Sequence, residues 1–283
     1  MTQTGRGNHG EASMSTRSTG KVPTTVMSSR RMGLAIVVWL LTSGLSAGVL
    51  LSLQSATGVD PEALSLVMAA PAIGALPAWL IIRGHGFPGQ QPDEGQRFAV
   101  NIGLSLVIVG VYFVVISIMR GNPPTVPAVV GGVSLPVFVA LQAVGALAEE
   151  VGYRGVLFHG LRRWLSRPVA ALIAGLAFGF WHVQYYSLPP LQFAAFVVGA
   201  VALTMTMASL MIGSFWQRMA VCTILHLGAN LALALAGTEP VSMVTFTVAI
   251  ILGGVVAFVL TMIQRRGPVG PQAQPALHPQ RQQ

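Results

Sequence analysis

The sequence is poor in charge, and above all in acidic residues. Only 8 of its 283 residues are Asp or Glu, and charged residues of both signs make up 8% of the chain. Because a soluble domain carries about 25% charged residues, this composition excludes an ordinary soluble globular protein. The single cysteine, Cys222, excludes an internal disulfide and any zinc site built from several cysteines.

Long apolar stretches take the place of the missing charge. Hydrophobic residues account for 53% of the chain, and the mean hydropathy is +0.68. A helix needs about 20 apolar residues to cross a hydrocarbon core of about 30 Å. The sequence therefore predicts an all-α, polytopic membrane protein with about eight transmembrane helices. The predicted spans are residues 32–53, 61–82, 98–119, 136 through Glu150, 169–186, 191–212, 220–236 and 241–263.

The two ends of the chain differ from this apolar middle. Residues 1–31 are rich in Ser, Thr and Gly, and residues 264–283 are rich in Pro and Gln. Both are predicted to be disordered cytoplasmic tails around a transmembrane domain at 32–263. The first apolar run also has the basic flank of a signal peptide, so cleavage after Ala56 is the alternative to a first membrane helix.

The basic residues predict the orientation of the spans. With eight spans and a cytoplasmic N-terminus, all of the 16 Lys and Arg residues except Arg120 fall in the inside segments. Cytoplasmic loops are enriched in Lys and Arg, so both termini are predicted to be cytoplasmic. The net charge of +8 is then a topology signal and indicates no nucleic-acid partner. The expected surroundings are the lipid bilayer of the cell membrane, which the chain crosses several times.

Two of the few acidic residues lie side by side within the fourth predicted span. Ionisable groups at membrane depth are costly, and by default they indicate a functional site with paired partners. Glu150 and Arg154 are four residues apart, which suits an ion pair along a helix. Glu149 has no such cation. We therefore expect Glu150 and Arg154 to support the site and Glu149 to be the reactive carboxylate, suited to act as a general base.

Other polar residues are predicted to reach the same depth. Counted from the turn at residues 162–168, Glu149 lies about 24 Å and His182 about 20 Å along neighbouring antiparallel helices. Asn230 lies about 18 Å along its own helix, and His226, four residues earlier, shares its face. A carboxylate and an imidazole can activate a water, and a His/Asn pair can donate hydrogen bonds to a developing oxyanion. The set favours amide hydrolysis within a membrane.

These residues fall into three motifs that resemble those of the CAAX prenyl protease and bacteriocin-processing (CPBP) family of intramembrane proteases. The motifs, in the family's order, are Glu149-Glu150-x-x-x-Arg154, Phe178-x-x-x-His182 and His226-x-x-x-Asn230. The resemblance covers about residues 133–236 and leaves the first three predicted spans and both tails without support.

The resemblance implies a type II CAAX endopeptidase-like enzyme with assigned residue roles. Glu149 and His182 would activate the water, while His226 and Asn230 would stabilise the oxyanion. The supporting residues would be Glu150, Arg154 and Phe178. The implied partner is a peptide or a membrane-protein substrate, and the implied mechanism is that of a glutamate-type endopeptidase without a metal or another cofactor.

Other interpretations of the same residues stay open. The motifs could belong to a non-catalytic membrane scaffold or an immunity-type protein of the same family. A transporter could use Glu149 and His182 as a proton relay, although the sequence has no inverted repeat of the kind common in transporters. Glu149, His182 and His226 could also form a two-His-one-carboxylate zinc site with an open position.

Overall fold

The computed structural model describes residues 28–83, 95–123, 125–236 and 240–266, apart from the side chains of 235–242 and 264–266. Helices make up most of these residues, so the all-α class is confirmed. The two predicted tails lie largely outside the described residues. The helices nearest to them begin at Ser29 and end at Arg266, three residues beyond the predicted spans on either side.

The described helices follow the predicted apolar stretches. Their bounds are α1 Ser29–Thr57, α2 Ala70–Ile82, α3 Gly95–Arg120, α4 Leu135–Gly152, α5 His159–Leu161, α6 Arg167–Trp181, α7 Pro190–Leu210, α8 Phe215–Ala236 and α9 Pro240–Arg266. Short 3₁₀ helices precede α2 at Leu66–Ala69 and follow α6 at Val183–Ser187. A π-helical segment, Tyr153–Phe158, joins α4 to α5. A small antiparallel hairpin, β1 Val129–Val130 with β2 Val133–Ser134, leads into α4.

Five helical stretches of the described chain are long and apolar enough to cross a membrane. They are Ser29–Thr57, Gly95–Arg120, Leu135–Leu161, Pro190–Leu210 and Met243–Ile263. Two shorter apolar stretches, Leu66–Ile82 and Arg167–Trp181, accompany them. Helix α8, which carries the polar residues His226 and Asn230, is not among these stretches. The polytopic membrane class is thus confirmed, whereas the count of eight spans and their orientation stay predictions.

The chain around the two glutamates departs from a regular α-helix. After Gly152 it continues as the π-helical segment, a type of irregularity that is frequent at functional sites. Arg154 lies in this segment and is only 2% exposed. It is therefore a buried residue, and it does not belong with the loop arginines that indicate orientation.

The fifth predicted span is longer than the helix that corresponds to it. The prediction extends to residue 186, but α6 ends at Trp181 and His182 has φ −81° and ψ 67°, outside the helical range. His182 is thus the residue at which the helix ends, with a 3₁₀ turn directly after it.

Glycines of α4 allow the segment leading into α2 to approach this helix closely. A Cβ atom on Gly145 would lie 2.7 Å from Met68 Sδ, and one on Gly152 would lie 2.5 Å from Pro71 Cβ. Small residues commonly permit such close contacts between membrane helices. The start of α2 therefore packs along the helix that carries the two glutamates.

Candidate active site

Glu150 and Arg154 form the ion pair that their spacing predicts. Arg154 Nη1 lies 3.0 Å from Glu150 Oε1, and both side chains are fully buried. Arg154 Nη2 donates to Thr204 Oγ1 at 2.8 Å, and this hydroxyl donates to the Ala200 carbonyl. The guanidinium carbon lies 4.7 Å from the centre of the Phe178 ring, within cation–π range. One buried arginine therefore ties the first motif to α6 and α7.

His226 lies between the two glutamates, a contact that the sequence analysis did not predict. Its Nδ1 is 2.7 Å from Glu150 Oε1, and its Nε2 is 3.4 Å from Glu149 Oε2. Glu150 Oε1 also faces the guanidinium of Arg154, which can only donate hydrogen bonds, so this oxygen is an acceptor. Nδ1–H of His226 then donates to Glu150, and the Nε2 atom faces Glu149.

The carboxylates of both glutamates are poorly paired for such buried groups. Glu149 is 3% exposed and Glu150 is 0% exposed, and Oε2 of each makes no hydrogen bond within the described residues. Buried polar atoms without a hydrogen bond are uncommon in folded proteins. Their concentration at one point of the fold indicates a site under functional constraint.

His182 is held in a defined tautomer at the end of α6. Its Nδ1 lies 2.8 Å from the Phe178 carbonyl. A carbonyl only accepts hydrogen bonds, so Nδ1 carries the proton and Nε2 is left as an acceptor. The ring packs against Phe178 and Phe196, with ring centres 4.7 and 5.1 Å apart, and stacks on Tyr185 at 6.0 Å. An acceptor nitrogen fixed in this way is suited to orient a water molecule.

Three of the four predicted catalytic residues line one cavity. His182, His226 and Asn230 face a cavity of about 50 Å³, with Phe178 beside them and other aromatic and aliphatic side chains of α7, α8 and α9 around it. A cavity needs roughly 10–15 Å³ to hold one water, so a few waters fit. Glu149 is not among the lining residues, but its Oε2 lies 3.4 Å from Nε2 of His226, which does line the cavity.

Aromatic side chains surround the first two motifs. The Tyr153 ring packs edge-on against Phe178 at 5.0 Å and against Trp39 of α1 at 5.2 Å. Phe178 in turn packs edge-on against His226 at 5.3 Å. The expected packing role of Phe178 thus extends beyond its own motif, because its ring contacts Arg154, Tyr153 and both histidines.

Two polar residues at the site were missed by the sequence analysis. Thr204 accepts from Arg154, and Gln142 accepts from Asn230 Nδ2 at 3.1 Å. Both lie inside predicted spans, and a polar side chain in an apolar span is the signal that would have found them. Gln142 also precedes Glu149 by seven residues, or two helical turns, which places the two on one side of α4.

The zinc alternative requires three metal-ligating side chains close together. In the part of the chain that the structure describes, no group of three or more His, Cys, Asp and Glu residues is placed to hold a metal ion. The alternative set was Glu149, His182 and His226. The two histidines each use Nδ1 on a protein acceptor, which leaves their Nε2 atoms to face the cavity or Glu149.

The fold and the site together define a class: a multi-pass helical membrane protein with a buried carboxylate–imidazole cluster. Residues 131–232 match the family described as Type II CAAX prenyl endopeptidase Rce1-like. This segment runs from the hairpin into α8 and contains all three motifs. Over this segment the chain is similar to the CAAX protease-like family, as the motifs predict. At the level of the family, this supports a CAAX-type intramembrane protease. A comparison with curated proteins finds none that matches the chain.

Proposed function

We propose that the protein is an intramembrane endopeptidase that hydrolyses a peptide bond with a water activated by Glu149 and His182. The observation that carries the proposal is the arrangement around His226. One of its ring nitrogens is fixed by Glu150, the other faces Glu149, and the ring lines a cavity shared with His182 and Asn230. The enzyme is proposed to act in the cell membrane on a peptide or a membrane protein.

The proposed reaction begins with a water held by the acceptor nitrogen of His182. Glu149 takes a proton from this water as its oxygen bonds to the carbonyl carbon, and the carbonyl electrons move onto oxygen. Catalytic groups in an enzyme without substrate are often farther apart than in the reacting complex. We therefore expect Glu149, which does not line the cavity, to reach the water when substrate binds.

The remaining steps use donors on α8. The oxyanion accepts hydrogen bonds from Asn230 Nδ2–H and from Nε2–H of His226. Neither donor gives up its proton, so Glu149 alone holds the proton taken from the water. As the oxyanion collapses, the C–N bond breaks and its electron pair stays on nitrogen. The proton held by Glu149 then passes to this nitrogen, which releases an amine and a carboxylic acid.

We further propose that the reaction proceeds without a metal. The placement of the side chains supports this, because among the described residues no group of three or more His, Cys, Asp and Glu residues is positioned to hold a metal ion. Treatment of the purified protein with a chelator is expected to leave its cleavage rate unchanged. Loss of activity on chelation, with recovery on adding zinc, would instead support the zinc alternative.

The test of the function is cleavage of a membrane-embedded peptide by purified protein in liposomes. Glu149→Gln keeps the shape of the side chain but removes its basicity, so the rate is expected to fall at least about 100-fold. Glu62→Gln is the matched control, because Glu62 is an exposed glutamate in the connection between α1 and α2. Equal cleavage by the parent and by Glu149→Gln would exclude the proposed role of Glu149.

A non-catalytic membrane scaffold of the same family is the second candidate. It is favoured by one observation, namely that Glu149 does not line the cavity. The two functions differ in cells that depend on the protein. A scaffold retains its phenotype with Glu149→Gln, whereas a protease loses it at the same protein level.

A further inference from the structure

We infer that Gln142, which lies outside the three motifs, is a positioning residue that orients the amide of Asn230 towards the cavity. This inference rests on the proposed function for its catalytic consequence, but it rests on geometry alone for the contact. Gln142 accepts a hydrogen bond from Asn230 Nδ2 at 3.1 Å and donates one from Nε2 to the Ala63 carbonyl at 3.0 Å.

The Ala63 carbonyl sets the direction of both amides. A backbone carbonyl only accepts hydrogen bonds, so the NH₂ group of Gln142 has to face Ala63. Its oxygen then points towards Asn230, which in turn has to present its own NH₂ group. Rotating either amide by half a turn would bring two oxygens or two NH₂ groups face to face.

This orientation is the one that an oxyanion site needs. The Asn230 NH₂ group has two hydrogens, and Gln142 uses only one of them. The second is available to a negatively charged oxygen in the cavity that Asn230 lines. With the amide reversed, Asn230 would present its own oxygen and repel the oxyanion.

The Ala63 carbonyl, which accepts the hydrogen bond from Gln142, lies in a well-packed part of the structure. Ala63 is fully buried, and its N–H donates to the Asp60 carbonyl at 2.9 Å. A Cβ atom on Gly131 would lie 2.5 Å from Ala63 N, so the turn of the hairpin closes directly over this residue. The Gln54 amide also donates to the Val59 and Leu64 carbonyls on both sides of it. The carbonyl that orients Gln142 therefore belongs to a well-connected loop.

Because Gln142 is buried, loss of its two hydrogen bonds should affect the orientation of Asn230. Gln142 is 8% exposed, so solvent provides little replacement for the hydrogen bonds that it makes. A Leu at this position keeps a similar volume but removes both contacts. Asn230 is then free to rotate, and only part of its population offers a donor to the oxyanion.

The experiment is a double-mutant cycle on the parent, Gln142→Leu, Asn230→Ala and the double variant, measured as cleavage of a membrane-embedded peptide in liposomes. Loss of one oxyanion donor lowers kcat by about 100-fold or more, which is expected for Asn230→Ala. Gln142→Leu is expected to lower kcat about tenfold with little change in KM, because only the orientation of that donor is lost. The double variant is expected to be no slower than Asn230→Ala alone. A double variant slower by the product of both effects, or a Gln142→Leu variant with parental kcat, would overturn the inference.

Gln142→Glu provides a further test, because the pH dependence of its kcat should differ from that of the parent only if Gln142 orients Asn230. A protonated Glu has one donor and one acceptor, like the amide, whereas the carboxylate has no donor for the Ala63 carbonyl. The kcat of this variant relative to the parent is therefore expected to rise as the pH falls. A pH-independent ratio would contradict the positioning role.

Thermal unfolding of the same four proteins separates this inference from the proposed function. If Gln142 and Asn230 are coupled, the unfolding midpoint of the double variant falls by less than the sum of the two single shifts. An inactive parent with such coupling refutes the protease and retains the contact. If the parent is active but the Gln142 and Asn230 substitutions are not coupled, either in unfolding or in kcat, the positioning role alone is refuted.

Discussion

The two ring nitrogens of His226 each contact a glutamate, and the two contacts differ. On the Nδ1 side, Glu150 Oε1 has two close partners, His226 and Arg154, at 2.7 and 3.0 Å. On the Nε2 side, the contact with Glu149 Oε2 is longer, at 3.4 Å. Two adjacent residues of one helix thus have different surroundings. Glu150 therefore has short contacts to two neighbouring side chains, whereas the contact of Glu149 with His226 is longer.

The two glutamates are therefore expected to contribute differently to stability. A buried ion pair is strongly destabilised when one partner is removed, because the other charge remains buried. A carboxylate with few partners contributes little to stability and can change its protonation without disturbing its neighbours. Substitutions around His226 should therefore differ widely in how much they lower the free energy of unfolding.

The largest loss is expected for Arg154→Met. It leaves the Glu150 carboxylate buried without its cation, which should destabilise the protein by about 3–5 kcal/mol. Unfolding in detergent measures the change, and Arg163→Met, at an exposed arginine, is the control. Adding Glu150→Gln to Arg154→Met is expected to recover part of the loss. If the double variant were less stable than the single one, the Nδ1 side would not be held by charge pairing.

A smaller loss is expected for Thr204→Val. The substitution keeps the branched shape but removes the hydroxyl that accepts from Arg154 Nη2. A hydrogen bond to a charged group contributes about 1.5–3 kcal/mol, so the free energy of unfolding should fall by roughly that amount. Thr204→Ser keeps the hydroxyl and should lie closer to the parent. Equal stabilities of the Val and Ser variants would show that Thr204 acts only through packing.

The smallest change in stability is expected for Glu149→Gln. The side chain keeps its shape, and the oxygen that faces His226 makes no hydrogen bond within the described residues. Its free energy of unfolding should therefore stay within about 1 kcal/mol of the parent. The same measurement on Glu150→Gln should show a larger loss. If the order of these two variants were reversed, the contrast between the two sides of His226 would be wrong.

Local spacing predicted the parts of the site that lie on one helix. The four-residue separation of Glu150 and Arg154 gave their ion pair, and that of His226 and Asn230 gave their common face. Contacts between helices were harder to predict, because they depend on how each helix is rotated about its axis. The position of His226 between the two glutamates and the contact of Gln142 with Asn230 both belong to this second kind.

The irregular backbone at the site was also beyond the sequence pattern. Past Glu150 the residues up to Phe158 are apolar apart from Arg154 and the two glycines. Nothing in their periodicity distinguishes a π-helical segment from an α-helix. The end of α6 at Trp181 has no Gly or Pro directly after it, since the next proline is Pro189. The fifth predicted span therefore includes Tyr185 and Tyr186. In the structure these residues lie in a 3₁₀ turn that holds Tyr185 against the imidazole.

The packing of Tyr153 against Trp39 has a consequence for where the functional unit ends. Trp39 belongs to α1, outside the matched residues 131–232, and it also donates from Nε1 to the Pro71 carbonyl at 3.0 Å. Tyr153 also packs against Phe178, whose ring contacts both histidines. Helix α1 thus packs against the aromatic residues that surround the first two motifs. A chain cut back to the Rce1-like segment would keep every motif residue and yet expose Tyr153 to lipid.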